Sequence, residues 1–248
     1  MQKGDRRVAV VTGASSGIGE ATAKALHDAG FDLVIGARRL ERLKAVGDRL
    51  GARCIYLDVT DAGSVAAFCE QISAVHVLVN NAGGALGLDT VSQAKDGDWE
   101  RMYDTNVLGL MRVTRALLPL LEASGNGHIV NIGSIAGREA YPGGAGYNAA
   151  KFGVRAVTQV LRLELVGKPI RVTEVAPGMV ETEFSEVRFS GDRERAARVY
   201  QGLTPLSAAD VADCIQWAVT RPPHVNIDEI VVKPRAQASA TVAARTTA

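Results

Sequence analysis

Short, continuously apolar runs alternate along the chain with longer stretches in which apolar residues recur at helical spacing. Such runs predict strands buried on both faces, and the longer stretches predict amphipathic helices. The predicted strands cover residues 8–11, 32–35, 54–57, 75–79, 128–132, 171–175 and 230–232. The predicted helices cover residues 17–29, 40–50, 63–72, 98–122, 147–166 and 207–219.

This alternation predicts an α/β fold, a doubly wound sheet of seven parallel strands with helices on both faces. No linker or shift in composition divides the sequence, so we expect residues 1–248 to form a single domain. Two segments depart from the alternation. Residues 178–202 are rich in charge and follow the sixth strand at the sheet edge where ligands bind, so they predict a substrate loop. Residues 234–248 are mostly Ala, Thr, Ser and Gln, and we expect a tail that is disordered or lies across a neighbouring subunit.

Composition excludes several functions. The formal net charge is +1, and no basic stripe indicates a nucleic acid or an anionic membrane as partner. No apolar stretch is long enough to span a membrane, and residues 1–7 are charged, unlike a signal peptide. The 3 cysteines are too few and too scattered for a disulfide framework, and the 4 histidines show no metal-ligand spacing. We therefore expect a cytoplasmic protein without a metal site.

A glycine-rich loop follows the first predicted strand and opens the first predicted helix. Glycines allow a tight turn and a close approach of the backbone to a pyrophosphate, and the helix N-terminus offers free N–H groups. This strand–turn–helix setting is the one that dinucleotide binding in a Rossmann fold requires, although the glycine spacing differs by one residue from the common fingerprint. The predicted phosphate-binding residues are Gly13, Ser15, Ser16, Gly17, Ile18 and Gly19.

The end of the second strand discriminates between NAD and NADP. An acidic residue there would hold the ribose hydroxyls of NAD, but the chain has Arg38 and Arg39 instead. Two guanidiniums can bind a 2′-phosphate through paired, charge-assisted hydrogen bonds, whereas a carboxylate would repel it. The alternative is that both arginines are simply solvated at the start of a helix. We predict NADP(H) as the cofactor.

Two further strand ends at the same sheet edge carry small or polar residues, which ordinary turns also favour. Asp58 and Val59 end the third strand, and Asn81, Ala82 and Gly83 follow the fourth. Because the cofactor passes along this edge in such folds, all five are predicted to belong to its binding site.

Tyr147 and Lys151 lie four residues apart at the start of a predicted helix, which places both side chains on one face. A free tyrosine, with a pKa near 10, is a poor base at neutral pH, and an ammonium about 4 Å away can lower that pKa by about three units when the effective dielectric constant is near 20. Ser134, just after the fifth strand, can donate a hydrogen bond to a substrate oxygen. The Tyr–Lys spacing alone occurs often by chance. In this setting it predicts carbonyl reduction or alcohol oxidation.

With these motifs in this order, residues from about 8 to about 232 resemble the short-chain dehydrogenase/reductase family. The resemblance implies that Tyr147 is the general acid/base, that Lys151 lowers its pKa and holds the nicotinamide ribose, and that Ser134 orients the substrate. It also implies that Asn106 supports a proton-relay water. The family's contacts with the nicotinamide carboxamide correspond here to Pro177, Gly178, Val180 and Thr182.

A narrower resemblance, carried by residues 86–87, 182–192 and 223–227, is to the NADP-dependent 3-hydroxy acid dehydrogenases. It implies a substrate such as serine, allo-threonine or malonic semialdehyde, and a homotetramer. A carboxylate substrate needs a cation, and Arg188 in the substrate loop is the first candidate anchor, with Arg138 as the second. Either arginine could instead be solvated at the surface.

Two other functions stay open on the sequence. The same hydride transfer could serve another carbonyl, such as a 3-oxoacyl thioester, a polyol or a secondary-metabolite aldehyde, because the substrate loop only weakly favours a small acid. The other is a binding protein that senses NADP(H) without turnover. Such a protein would be expected to have lost one of the four catalytic residues, yet Asn106, Ser134, Tyr147 and Lys151 are all present.

Overall fold

Seven parallel strands form one sheet in the order β3-β2-β1-β4-β5-β6-β7, in a computed structural model that describes residues 6–246. The chain order reverses between β1 and β4, and ligands of such sheets bind at that reversal. The strands are β1 Val8–Thr12, β2 Asp32–Ala37, β3 Arg53–Tyr56, β4 Val77–Asn80, β5 Gly127–Ile132, β6 Ile170–Pro177 and β7 Glu229–Val232. This confirms the predicted seven-stranded parallel sheet.

Helices cover both faces of the sheet, because nearly every strand residue is apolar and must be buried on either side. Residues of α1, α2 and α9 pack on one face, and residues of α3 and α5 pack on the other. The helices are α1 Gly17–Asp28, α2 Leu40–Leu50, α3 Ala62–Cys69, α4 Asp96–Tyr103, α5 Gly109–Ala123, α6 Ala145–Glu164, α7 Phe184–Arg188, α8 Arg193–Arg198 and α9 Ala208–Val219.

The continuous helix predicted over 98–122 is wrong, because a π-helical turn, Asp104–Leu108, separates α4 from α5. The wider turn places the buried Asn106 side chain against two backbone carbonyls, one in the segment after β4 and one in α4. Its Nδ2 donates to Gly84 O and to Met102 O, at 2.8 Å each. Apolar periodicity continues through the turn, so the sequence pattern does not reveal it.

The C-terminal tail is ordered against its own chain, contrary to the expectation of a disordered or exchanged tail. Gln237 Oε1 accepts a hydrogen bond from Met179 N at 2.8 Å, and Ala240 N donates to Glu139 Oε2 at 2.7 Å. Arg245 Nη2 donates to a backbone carbonyl of the substrate loop, Val199 O, at 3.0 Å. Within the spans predicted for the domain and the tail, residues 1–5 and 247–248 lie outside the described residues.

Four buried polar side chains connect the central strands to the helices that carry the site. Asn80 Nδ2 donates to Thr114 Oγ1 at 2.8 Å and to Asn131 Oδ1 at 2.9 Å. Asn131 Nδ2 in turn donates to Thr158 Oγ1 at 2.9 Å. The chain of bonds therefore joins β4 and β5 to α5 and α6, and it fixes the position of α6 on the sheet.

Replacing Thr158 with valine should destabilise the protein by about 1–3 kcal/mol, because the isosteric change leaves the buried Asn131 amide without its acceptor. The free energy of unfolding in urea measures this loss. The matched control is Thr220→Val, at an exposed threonine after α9, which should change the free energy by less than about 0.5 kcal/mol. Equal effects of the two substitutions would contradict the role of the network.

Candidate active site

A cleft of about 660 Å³ lies across the carboxyl ends of the strands. Of the residues predicted for cofactor, catalysis or substrate, Arg138 lies outside it, and all the others but Gly19 and Asn106 line it. Those two lie directly behind its wall. A Cβ at Gly19 would be 2.4 Å from Gly13 O, and a Cβ at Gly83 would be 2.6 Å from Asn106 Oδ1. The fold therefore brings the predicted residues together at one place.

The glycine-rich loop passes close to the segment that follows β4. Gly13 has a φ of 67°, and a Cβ there would lie 2.9 Å from Ala82 Cα. Asn81 Nδ2 binds the loop on the same side, donating to Thr12 O at 2.9 Å and to Gly13 O at 3.2 Å. This close approach needs glycine, and it leaves the N-terminus of α1 open to the cleft.

Arg38 and Arg39 are both exposed and line the cleft at the end of β2. Arg39 Nη2 donates to Ser16 Oγ at 2.5 Å, and its Nε donates to Ser15 Oγ at 3.3 Å. Its Nη1 donates to Glu183 Oε2 at 2.7 Å. Arg38 forms no ion pair with any residue between 6 and 246, although its charge helps to lower the pKa of Asp58, which lines the same cleft.

Tyr147, near the start of α6, is 8% exposed, and its ring packs 5.5 Å from that of Phe184. Ser134, at the end of β5, lies against the same part of the cleft. The Ser134 hydroxyl accepts a hydrogen bond from Ala136 N at 3.1 Å, which leaves its own proton free to be donated into the cleft.

Lys151 is 6% exposed, and its Nζ donates to Ile132 O at 2.8 Å. An ammonium carries three N–H groups, so further donors stay available on the cleft side. Burial lowers the pKa of Lys151 to about 8, although attraction to the buried Glu174 carboxylate opposes this effect.

The pKa of Tyr147 differs from the sequence-based expectation. Burial raises it above its ordinary value, as does the neighbouring Tyr141, while the Ser134 hydroxyl and the Arg188 guanidinium act to lower it. The expectation that Lys151 holds this pKa below its ordinary value is therefore wrong for the protein's own groups. Removal of the phenol from water outweighs the nearby positive charge.

The two candidate anion anchors have different surroundings. The Arg188 guanidinium lines the cleft, 5.7 Å from the Tyr147 ring centroid, and its Nε donates to Gly87 O at 2.8 Å. Arg138 instead lies outside the cleft, with Nη2 at 3.0 Å from Glu229 and 3.5 Å from the buried Glu174. The prediction of Arg138 as an anion anchor is therefore wrong, because its guanidinium already forms ion pairs with two carboxylates.

The cleft also contains residues that sequence reasoning missed. Glu183 precedes α7 and binds two arginines. Others among them come from the substrate loop, the segment before α6 and the tail, including Tyr141, Phe184, Tyr200, Gln237, Ala240 and Thr241. Glu183 and Phe184 lie in the 182–192 run that carries the narrower resemblance, but the run assigned them no role. No motif marks the tail residues, since the Ala- and Thr-rich tail shows no periodicity and reaches the cleft only through tertiary contacts.

Sequence comparison relates this chain to a known protein family. The family model described as short chain dehydrogenase matches residues 7–193. Among the residues that the structure describes, no helix is long and apolar enough to cross a membrane.

Two curated relatives and one solved structure align over almost the whole chain. Sulfoacetaldehyde reductase of Chromohalobacter salexigens is 45% identical, covering 92% of this chain and 94% of the relative. NADP-dependent 3-hydroxy acid dehydrogenase YdfG of Salmonella typhi is 42% identical, covering 94% and 97%. The closed form of serine dehydrogenase complexed with NADP+ superposes with a TM-score of 0.91 at 39% identity, covering 97% of this chain and 100% of that one.

The depressed pKa of Lys151 predicts how stability depends on pH. From its folded pKa of about 8 to its ordinary value of 10.5, the folded protein binds fewer protons at this site than the unfolded chain does. The contribution of Lys151 to the free energy of unfolding should therefore rise with pH across this window, by at most about 1.4 kcal/mol per pH unit. Below a pH of about 8, Lys151 is protonated in both the folded and the unfolded state, so the free energy of unfolding is lowered by the full cost of burying the ammonium.

Urea unfolding of the wild-type protein and of Lys151→Met, from about pH 7 to about pH 9.5, measures this effect. The difference, wild type minus variant, should increase with pH. Lys168→Met is the control, because Lys168 is half-exposed and paired with Glu122, and its difference from wild type should stay flat. A flat difference for Lys151→Met as well would refute the depressed pKa.

Proposed function

The chain belongs to the short-chain dehydrogenase family, and from that premise we propose that it transfers a hydride between NADP(H) and a small hydroxy acid or the matching carbonyl compound. It is an NADP-dependent oxidoreductase that acts on CH–OH groups. One observation carries the proposal. A single cleft places Tyr147, Lys151 and Ser134 beside a cation, Arg188, and extends from there to the glycine-rich loop.

The half of the cleft beside the glycine-rich loop fits a dinucleotide that carries a 2′-phosphate. Gly13 and Gly17 expose loop backbone at the N-terminus of α1, and Arg38 and Arg39 supply positive charge where NAD-binding sites carry an acid. When bound, NADP(H) donates or accepts the hydride through its nicotinamide ring. The other proposed contacts are Ser15, Ser16, Ile18, Gly19, Asp58, Val59, Asn81, Ala82, Gly83, Pro177, Gly178, Val180 and Thr182.

Tyr147 is the proposed proton donor in reduction and proton acceptor in oxidation. Its raised pKa keeps the phenol protonated at neutral pH, which suits the donor role. For oxidation the phenol must lose its proton, and the Ser134 hydroxyl and Arg188 both favour the phenolate. We assign the free N–H groups of Lys151 to the nicotinamide ribose and Asn106 to a relay water behind Gly83.

Arg188 is the proposed anchor of the substrate anion. Its terminal nitrogens form no ion pair with a carboxylate anywhere in residues 6–246, and the guanidinium lies 5.7 Å from the Tyr147 ring. In a 3-hydroxy acid, two bonds separate the carboxylate carbon from the carbon that reacts. This short span suits an anion held by Arg188 and a hydroxyl held by Tyr147 and Ser134.

A sulfonate is the second candidate, favoured by the 45% identical sulfoacetaldehyde reductase. Sulfoacetaldehyde and malonic semialdehyde share one skeleton, an aldehyde joined to an anion by a single methylene group. Arg188 can donate paired hydrogen bonds to either anion. We therefore propose a β-anionic aldehyde or its alcohol as the substrate class. A 3-oxoacyl thioester, polyol or secondary-metabolite aldehyde would leave Arg188 without an anionic partner.

We also propose a homotetramer in the cytoplasm. Exposed apolar side chains along α6, among them Phe152, Val160 and Leu163, support an assembly between copies. The thiols of Cys54, Cys69 and Cys214 are all free, which is typical of a reducing compartment.

The substrate class is tested by NADP+ reduction with 3-hydroxypropionate, isethionate, serine and propan-1-ol. We expect turnover of an anionic alcohol to exceed that of propan-1-ol by at least about tenfold in kcat/KM, because a charge-assisted hydrogen bond contributes about 1.5–3 kcal/mol. No preference for an anionic substrate would refute the substrate class. Absence of turnover with every anionic and neutral alcohol would count against an enzyme and favour the NADP(H)-sensing alternative.

Arg188→Ala should lower kcat/KM for the preferred anionic alcohol by about 10- to 100-fold relative to propan-1-ol. The ratio of the two substrates is the informative quantity, because loss of Arg188 also removes a charge that acts on the Tyr147 pKa in both reactions. Arg195→Ala is the matched control. Arg195 stacks 4.3 Å from the Phe189 ring in the same segment but does not line the cleft, so the ratio should not change. An unchanged ratio in Arg188→Ala would exclude it as the anchor.

A further inference from the structure

Glu183 lies between two arginines at the junction of the cofactor and substrate halves of the cleft. Its Oε2 accepts a hydrogen bond from Arg39 Nη1 at 2.7 Å, and its Oε1 accepts one from Arg42 Nη1 at 2.6 Å. Arg39 precedes α2 and Glu183 precedes α7, so these bonds connect the two helix starts. Both arginines hold the pKa of Glu183 below its ordinary value, which keeps the carboxylate ionised at neutral pH.

Arg39 does not depend on Glu183 for its orientation. Its Nε and Nη2 donate to the hydroxyls of Ser15 and Ser16, at 3.3 and 2.5 Å, and only Nη1 is taken by the carboxylate. Two of its three hydrogen bonds therefore still hold it against the glycine-rich loop when Glu183 is replaced. The third is a charge-assisted bond that faces the region where a 2′-phosphate would be recognised.

A 2′-phosphate at Arg39 would compete with the carboxylate for the same guanidinium. The phosphate carries nearly two negative charges, and a second anion beside it adds repulsion. Arg42 supplies Glu183 with another partner, so the carboxylate keeps one charge-assisted bond when Arg39 is shared. The cluster is about half-exposed, with 44% of Arg39 and 40% of Glu183 accessible, so water and salt screen it and the effect is modest.

We propose that Glu183 is a specificity-determining residue of the cofactor site, whose carboxylate competes with the 2′-phosphate for Arg39 and so limits the preference for the phosphorylated nucleotide. This inference rests on the proposed function, in that it takes Arg39 as part of an NADP(H) site. It predicts a residue whose removal strengthens binding of the phosphorylated nucleotide, which is the opposite of what an orienting residue would do.

Glu183→Gln keeps the size of the side chain and removes its charge. Calorimetric titration with adenosine 2′,5′-bisphosphate should give a dissociation constant about two- to fivefold lower than that of the wild type, the range expected for one exposed ion pair. Titration with adenosine 5′-monophosphate, which lacks only the 2′-phosphate, should give the wild-type value. Neither measurement requires turnover.

Two variants separate direct competition from a general change of charge. Glu186→Gln removes a nearby carboxylate, in α7, which pairs with Arg193 at 3.7 Å, and should bind both nucleotides as the wild type does. Glu183→Asp keeps the charge but shortens its reach, and should strengthen binding of the bisphosphate. Circular dichroism establishes that each variant is folded. If Glu183→Gln does not fold, Glu183→Asp carries the test.

Three results would overturn the inference. They are weaker bisphosphate binding in Glu183→Gln, equal strengthening in Glu186→Gln, and equal strengthening with the monophosphate. Failure of the proposed cofactor site looks different. In that case the wild-type protein itself would bind the bisphosphate no better than the monophosphate, whatever the variants do.

Discussion

The hydrogen bond from the Lys151 ammonium to Ile132 O is the interaction on which the site depends. It holds a charged group inside the protein at the end of β5, one turn along α6 from Tyr147. Burying an ammonium is costly, as the fall of its pKa to about 8 indicates. The hydrogen bond to Ile132 O and the attraction of the buried Glu174 carboxylate offset part of this cost. The Asn131–Thr158 bond fixes α6 on the sheet, so the ammonium and the phenol keep their places relative to the strand ends.

The two halves of the cleft are built from different parts of the fold. The cofactor half uses strand ends and glycine backbone, where neighbouring segments approach too closely for any side chain at Gly13. The substrate half uses α7, the segment before α6 and the C-terminal tail, which line it with Phe184, Tyr141 and Gln237. In the proposed function, the reacting groups therefore lie on the sheet and on α6, while the residues around the substrate lie on loop and tail segments that sequence change can alter without disturbing the sheet.

Local patterns were enough to predict the sheet and most of the cleft, because strand ends of a parallel sheet meet at one edge and each motif follows its own strand. Features that arise from contacts distant in the sequence could not be predicted. The π turn that turns Asn106 inward leaves the apolar periodicity unchanged. The ion pair that removes Arg138 from the cleft depends on two strands meeting. The raised pKa of Tyr147 follows from burial, which no spacing of residues specifies.

The central claim is that Tyr147 exchanges the proton at the substrate oxygen, and Tyr147→Phe tests it most directly. The change removes one hydroxyl from a ring that packs against Phe184 and should leave the fold intact. We expect kcat for NADP+ reduction by the preferred alcohol to fall by about 10²- to 10⁴-fold, with the dissociation constant for NADP+ unchanged. A folded variant that binds NADP+ normally and keeps kcat within about tenfold of the wild type would contradict the mechanism.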